Sequence, residues 1–269
     1  MGDLRYRIVD VFSDRPLAGN GLCVVLDPVD DEDRMLAIAR EVNLSETTFV
    51  TVTGEDTYDV RIWTPGAELP FAGHPSIGTA WALGPGRWTQ RSPGATVAIE
   101  ASETGAVMGQ PDPTFTEVDA EEVATGLGLP AAAVPSAVVA EIGGTRHLLV
   151  PVDDRVAIER LRPDVGALGR AARAVRATGV GVVRRVDDAT LHARVWVPGS
   201  AVPEDPGTGS AAGPFGLLAR RRWGTDEDVV VLQGAEMGRP CRIEVHAEPG
   251  NLRVGGRVAA SAEGRFTLP

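Results

Sequence analysis

Runs with the period of two expected of half-buried strands dominate this chain, and helical periodicity is confined to a few stretches. Strands are predicted at Leu4–Phe12, Leu22–Leu26, Thr47–Val52, Tyr58–Trp63 and Thr96–Ala101 in the first half. In the second half they fall at Ala137–Ile142, His147–Val150, Gly179–Val186, Leu191–Val197, Val229–Gln233, Arg242–His246 and Leu252–Val258. Helices are predicted at Asp31–Val42, capped by Asp30 or Asp31, and at Ala120–Leu127, Arg155–Leu161 and Pro163–Ala174. Two shorter, more apolar helices are expected at Ser76–Leu83 and Ser210–Arg220. Short turns join many of the strands, which points to an α+β protein with mostly antiparallel sheets.

A repeat lies within this pattern. Arg61-Ile-Trp63-Thr-Pro65-Gly66-Ala-Glu-Leu-Pro70 matches Arg194-Val-Trp196-Val-Pro198-Gly199-Ser-Ala-Val-Pro203 at Arg, Trp, Pro, Gly and Pro. The offset is 133 residues, about half of the 269-residue chain. Each copy reads as a Trp-bearing strand, a Pro/Gly loop, a glycine-rich turn and an apolar helix. The period is too long for a solenoid and suggests two similar lobes. Their boundary is expected near Gln110–Thr116, where Pro111 and Pro113 break the pattern. This gives an N-terminal lobe over 1–114 and a C-terminal lobe over 115–255.

Composition narrows the chemistry. The net charge is -11, which argues against nucleic acid as the main partner and supplies no polybasic patch for a membrane surface. All 26 basic residues are arginine. The missing lysine removes Schiff-base, P-loop and lysine-base mechanisms. Cys23 and Cys241 form no CxxC and sit in apolar strands, as small buried hydrophobes do. With no secretory apolar core and no bilayer-length apolar run, a cytoplasmic setting is expected.

Candidate chemistry gathers at the two helix starts. Phe71-Ala-Gly73-His74-Pro75-Ser76 precedes the first, with Pro75 expected at the first helical position and His74 outside the helix. Glu204-Asp205-Pro206-Gly207-Thr208-Gly209-Ser210 precedes the second. Free N–H groups at both starts suit a small carboxylate. The same pattern is also that of two capped helices with no ligand, Asp205 being most simply a cap and Ser210 a first-turn residue. Glu46, between a helix and a strand, reads by itself as solvated. His147, His192 and His246 lie in strands without metal-ligand spacing, so no metal site is expected.

The motifs themselves are long and ordered. Val9-Asp10-Val11-Phe12, the Gly19-Asn20 turn, NLSETTF at Asn43–Phe49, ELPFAGHPSIGTA at Glu68–Ala80, EDPGTGSAAG at Glu204–Gly213 and QGAEMGRP at Gln233–Pro240 follow one another along the whole chain. In these the chain resembles the phenazine-biosynthesis isomerase-like (PhzF-like) family, which shares the diaminopimelate epimerase fold. It departs from the family at Gly207, usually alanine, and at Gly21, commonly proline; neither change removes a functional group.

The resemblance implies two pseudo-symmetric lobes, each a curved, mostly antiparallel sheet around a central helix. It implies an active site in the cleft between them, a homodimer, and a C-terminal stretch, 256–269, that completes the first lobe. The epimerase relatives use one cysteine per lobe, whereas here the corresponding turns carry Gly73-His74 and Asp205-Pro206, which excludes a two-thiol mechanism. By resemblance Glu46 is the proton carrier, a role a carboxyl can fill as base and acid if a desolvated site raises its pKa. His74 and Asp205 would bond the polar groups of a small carboxylic-acid substrate. Ser210 and the amides of Gly73, Gly209 and Ser210 would hold its carboxylate, with Ser76 and Thr208 also among the binding residues. No cofactor and no metal are implied. The activity implied is proton relocation of the trans-2,3-dihydro-3-hydroxyanthranilate isomerase type. An epimerase with Glu46 and His74 as opposed bases, or a non-catalytic small-molecule binder, would use the same residues.

Overall fold

The computed structural model describes residues 3–200 and 202–267; Ala201, inside the second copy of the repeat, lies outside the described residues. The protein divides into two compact units, Met1–Gly109 with Gly255–Pro269, and Gln110–Val254.

In the first unit the strands are β1 (Leu4–Val11), β2 (Asn20–Val25), β3 (Glu46–Val52), β4 (Thr57–Trp63), β5 (Glu68–Leu69), β6 (Gly86–Ser92), β7 (Ala95–Ala101) and β8 (Gly105–Gly109). The final strand, β17 (Arg253–Phe266), belongs to this unit from Gly255 onward. Pairing runs β1–β2–β3–β4–β6–β7–β8–β17 and back to β1, so the strands close on themselves. Closure leaves no free sheet edge among them. Inside runs helix α2 (Gly73–Leu83), which packs on β1, β2, β3, β6, β7 and β8. A helix surrounded by sheet must be apolar or small on every side, and α2 is buried from Gly73 through Ala80. Gly78 shows how close the approach is. A Cβ there would sit 2.7 Å from side-chain atoms of both Leu22 and Val11. Helix α1 (Glu32–Val42) lies against β3 and β4, has Asp31 as its cap, and buries Met35, Ile38 and Ala39 at helical spacing.

The second unit repeats this plan. Its strands are β9 (Thr114–Val118), β10 (Ala137–Ile142), β11 (Thr145–Pro151), β12 (Gly179–Asp187), β13 (Thr190–Trp196), β14 (Glu204–Asp205), β15 (Asp228–Gln233) and β16 (Cys241–His246). From β10 the pairings run antiparallel, parallel, antiparallel, parallel, antiparallel through β11, β12, β13, β15 and β16. The order through β1, β2, β3, β4, β6 and β7 is the same. Trp63 faces Thr47 and Trp196 faces Val180, which preserves the offset of the repeat. The counterpart of α2 is α5 (Gly209–Trp223), packed on β10, β11, β12, β15 and β16. Helices α3 (Glu121–Leu127) and α4 (Val165–Ala174) pack together, with Leu127, Leu168 and Ala172 in one core with Val150 and Val180.

The repeated arginine has a structural reason. Arg194 donates through Nε and Nη2 to both oxygens of Glu204, at 2.7 and 2.8 Å, and lies over the Trp196 ring at 4.8 Å. Arg61 forms the same forked pair with Glu68 and lies over Trp63 at 5.9 Å. Planar, bidentate geometry of this kind favours arginine over lysine. In each unit it ties the central strand to the two-residue strand that leads into the buried helix.

Several elements differ from the sequence expectation. The helix expected at Arg155–Leu161 is only a 3-10 turn, Ile158–Arg160. Two of its carbonyls, Ile158 and Leu161, accept from Arg194 Nη1, and Ile158 accepts from the Leu161 N–H as well. Strands β6, β8 and β9 were not expected, and β17 runs past Val258 to Phe266, paired with β1 throughout and with Phe266 against Tyr6 at 4.4 Å. The small and charged residues of that extension carry no strand pattern of their own. Helix α2 begins at Gly73, so His74 is helical and Pro75 is the third helical residue. First-turn N–H groups have no acceptor within the helix, so the proline ring removes no bond there. Cys23 and Cys241 are both buried and in no disulfide, and burial pushes Cys23 up to about 12. Among the described residues no helix is long and apolar enough to cross a membrane, and no cluster of His, Cys, Asp or Glu has metal-binding geometry.

Candidate active site

In the first unit three element starts converge. Asn20 opens β2, Glu46 opens β3, and His74 is the second residue of α2. Parallel pairing of β2 with β3 aligns the two strand starts, Leu22 opposite Glu46. Asn20 Nδ2 lies 3.3 Å from His74 Nδ1, and His74 Nε2 lies 3.5 Å from Glu46 Oε2. An amide NH2 can only donate, so Nδ1 is the accepting nitrogen and the ring proton resides on Nε2. That nitrogen stands beside the glutamate at 3.5 Å, beyond hydrogen-bond geometry.

His74 is 5% exposed, and burial pushes its pKa down to about 3. Charging an imidazole away from water costs more than leaving it neutral. The contact with Glu46 is therefore that of a neutral N–H with a carboxyl group and not an ion pair. Glu46 itself is less enclosed, with its side chain 16% exposed.

Ser76 does not join this group. Its hydroxyl donates to the Ala72 carbonyl at 2.8 Å and accepts from Gln90 Nε2 at 2.8 Å, and Gln90 in turn accepts from Tyr58. Ser76 is fully buried, and its backbone N–H is also spent on Ala72. These bonds anchor the helix start. Gly73 and His74 keep first-turn N–H groups that the helix itself does not use.

In the second unit Asp205 closes β14, and Thr208 is the residue before α5. Asp205 is not the helix cap: that position belongs to Thr208, whose side chain makes no capping bond. The Thr208 hydroxyl donates instead to Asp205 Oδ2 at 2.5 Å. Gln233, 2% exposed at the end of β15, orients both residues. Its Nε2 donates to the Asp205 carbonyl at 2.7 Å and to Thr208 Oγ1 at 3.0 Å, and its Oε1 accepts from the Thr208 N–H. Since Gln233 supplies a donor to Thr208 Oγ1, the threonine proton is left for the aspartate.

Gly209 and Ser210 are the first two residues of α5. The Gly209 carbonyl accepts from Gln110 Nε2 at 3.0 Å. Ser210 is half-buried, and its Oγ lies 3.0 Å from His147 Nε2. His147 is 4% exposed, and burial pushes it down to about 4.

Sequence reasoning singled out Glu46 and His74 separately, without a contact between them, and put Asp205, Thr208, Gly209 and Ser210 on one loop and helix start. It assigned no role to Asn20, Gln233 or His147. Asn20 and Gln233 lie inside quoted motifs, yet only the hydrogen bonds show what they do. His147 carried no signal beyond being a histidine in an apolar strand.

The chain is similar to known proteins along nearly its whole length. Residues 9–264 match the PhzC-PhzF family model, described as phenazine biosynthesis-like protein. A trans-2,3-dihydro-3-hydroxyanthranilate isomerase of Pseudomonas aeruginosa is 37% identical over 98% of this chain and 99% of its own length. A Mesorhizobium japonicum protein named only as an uncharacterized isomerase is 34% identical over 98% of each chain. Among solved structures, a Pseudomonas aeruginosa protein described as a predicted epimerase has a TM-score of 0.85 at 33% identity, covering 99% of this chain and all of its own. A hydroxyproline epimerase from Agrobacterium vitis shares the fold, with a TM-score of 0.59 at 12% identity over 98% of this chain and 91% of its own.

Proposed function

From the premise that this chain belongs to the phenazine biosynthesis-like (PhzF) family and is an isomerase, we propose that it relocates a proton on a small amino- or hydroxy-substituted carboxylic acid, with Glu46 as the proton carrier. The compound named for its relatives, trans-2,3-dihydro-3-hydroxyanthranilate, is the substrate to test first. The observation that carries this reading is the partly exposed Glu46 side chain standing 3.5 Å from Nε2 of a buried His74 that burial keeps neutral.

The chemistry balances without an external reactant. Glu46 removes a proton from one carbon, the electron pair of the C–H bond shifts the substrate's double bonds, and the same proton is returned at another carbon. Where the first carbon carries a hydroxyl, the resulting enol becomes a ketone by a further proton shift. No electrons are gained or lost, so one positioned acid–base group can serve both steps, typically worth ~10²–10⁴-fold. His74 Nε2–H supplies a fixed donor beside the carrier. Asp205, already accepting from Thr208, is suited to accept from an amino or hydroxyl group. Ser210 and the first-turn amides of α5 are suited to the carboxylate.

The same geometry counts against an epimerase that uses Glu46 and His74 as opposed bases. Asn20 occupies the Nδ1 lone pair and Nε2 carries the proton, which leaves His74 no lone pair with which to take a substrate proton.

The test is incubation with trans-2,3-dihydro-3-hydroxyanthranilate in deuterated buffer, followed by ultraviolet absorbance and proton NMR, with Glu46→Gln as control. Conversion that disappears in the variant supports the assignment. Undiminished conversion by a folded Glu46→Gln protein would remove Glu46 as carrier.

A further inference from the structure

The two units differ at one matching position, and the difference assigns a task to His147. Glu46 opens β3 beside Leu22 of β2; in the second unit Gly179 opens β12 beside His147 of β11. Positions 46 and 179 are separated by the 133-residue offset of the repeat, so Gly179 stands where the first unit has its glutamate. With no side chain at 179, the imidazole of His147 occupies that ground. A Cβ on Gly179 would lie 3.4 Å from His147 Nδ1 and 3.2 Å from the Trp196 carbonyl oxygen. Ser210 is the second residue of α5, as His74 is of α2. The glutamate–histidine contact of the first unit is thus replaced by a histidine–serine contact in the second.

The direction of that contact follows from what surrounds the ring. His147 Nδ1 is buried and has no hydrogen-bond partner, while Nε2 faces Ser210 Oγ at 3.0 Å. Were the proton on Nδ1, a buried N–H would be orphaned, the rarest kind of unsatisfied group in folded proteins. A bare Nδ1 lone pair is the less costly arrangement, so Nε2 holds the proton and donates to Ser210 Oγ. The serine hydroxyl then has its own proton left over. His147 is the sole protein partner of that hydroxyl among the described residues, and Ser210 is half-buried, within reach of solvent.

We propose that His147 is a positioning residue that donates Nε2–H to Ser210 Oγ and thereby turns the serine proton outward as a donor for the substrate's carboxylate. This rests on the functional reading above for the identity of the ligand, but the tautomer does not.

Two measurements test it. NMR of the protein labelled with ¹⁵N-histidine, without substrate, should show His147 neutral with Nε2 protonated; a protonated Nδ1 overturns the proposal. The second compares His147→Leu, His147→Gln and His147→Asn with trans-2,3-dihydro-3-hydroxyanthranilate as probe. Loss of the donor in His147→Leu should raise KM roughly tenfold, the size of one hydrogen bond to a charged-ligand network, with kcat changed less than twofold. His147→Gln places an amide nitrogen near the Nε2 position and should restore most of the loss, whereas His147→Asn, which mimics Nδ1, should not. Equal behaviour of the Gln and Asn variants, or a fall in kcat alone, points to packing and overturns the assignment. If the wild-type protein leaves the acid unchanged, the substrate assignment fails, and the NMR tautomer decides His147 by itself.

Discussion

Replacing Glu204 by alanine should destabilise the second unit far more than replacing Glu68 by alanine destabilises the first, although both pair with the repeated arginine. Arg194 is 5% exposed, and its forked bond to Glu204 neutralises a cation with almost no water beside it. Its remaining nitrogen is committed to the Ile158 and Leu161 carbonyls, so the guanidinium cannot swing out without breaking those bonds as well. Leaving such a charge uncompensated costs about 3–5 kcal/mol. Arg61 has a side chain 32% exposed and holds a second carboxylate, Glu32, at 2.9 Å. Water and Glu32 take over when Glu68 is removed, and the expected cost is about 1 kcal/mol or less. Urea unfolding, followed by circular dichroism and tryptophan fluorescence, gives both values from midpoints at unchanged slope. Adding Arg194→Met to Glu204→Ala should recover part of the loss, because the unpaired cation goes with it. Equal costs for the two alanine variants, or a Glu204→Ala cost below about 1 kcal/mol, would refute the burial argument. Glu204 also precedes Asp205, so the same variant should lower activity with the probe acid.

Other perturbations have equally definite outcomes. His74 and His147 are held at about 3 and about 4, below the ordinary value for histidine, by burial. The unfolded chain therefore binds more protons than the native one in acid, and stability should fall as pH drops from about 6.5 toward those values; His147→Gln should flatten that slope in acid-unfolding titrations. Gly78→Ala drives a methyl against Leu22 and Val11 and should cost about 1–3 kcal/mol by thermal or urea unfolding. Thr208→Val removes the hydroxyl that donates to Asp205 while retaining shape, and should weaken turnover of the probe acid with little change in fold by circular dichroism. In Gln233→Glu, which loses the donor to Thr208 and places a second carboxyl near Asp205, the acidic limb of the pH–rate profile should move to higher pH.

The sequence by itself determined the two-lobe α+β plan, the repeat, most strands and both buried helices. Period-two patterning and the Arg–Trp–Pro–Gly spacing are local signals, and each copy reinforces the other. It also placed Glu46, His74, Asp205 and Ser210 in motifs too long to be chance. The strands β6, β8 and β9 and the tail of β17 lacked that legibility, since small, half-exposed residues are held there by ladder bonds to strands far away in the chain. The start of α2 departs from the expectation because the penalty on the residue before proline is tolerated within a first turn. Only tertiary structure decided protonation and direction. Asn20 fixes the His74 tautomer from 54 residues away, Gln233 turns the Thr208 proton toward Asp205 from 25 away, and His147 meets Ser210 across 63. Burial sets both histidines neutral. None of this is encoded in a window of neighbours, because desolvation and hydrogen-bond direction depend on everything packed around a group, and the chain supplies those surroundings from distant segments.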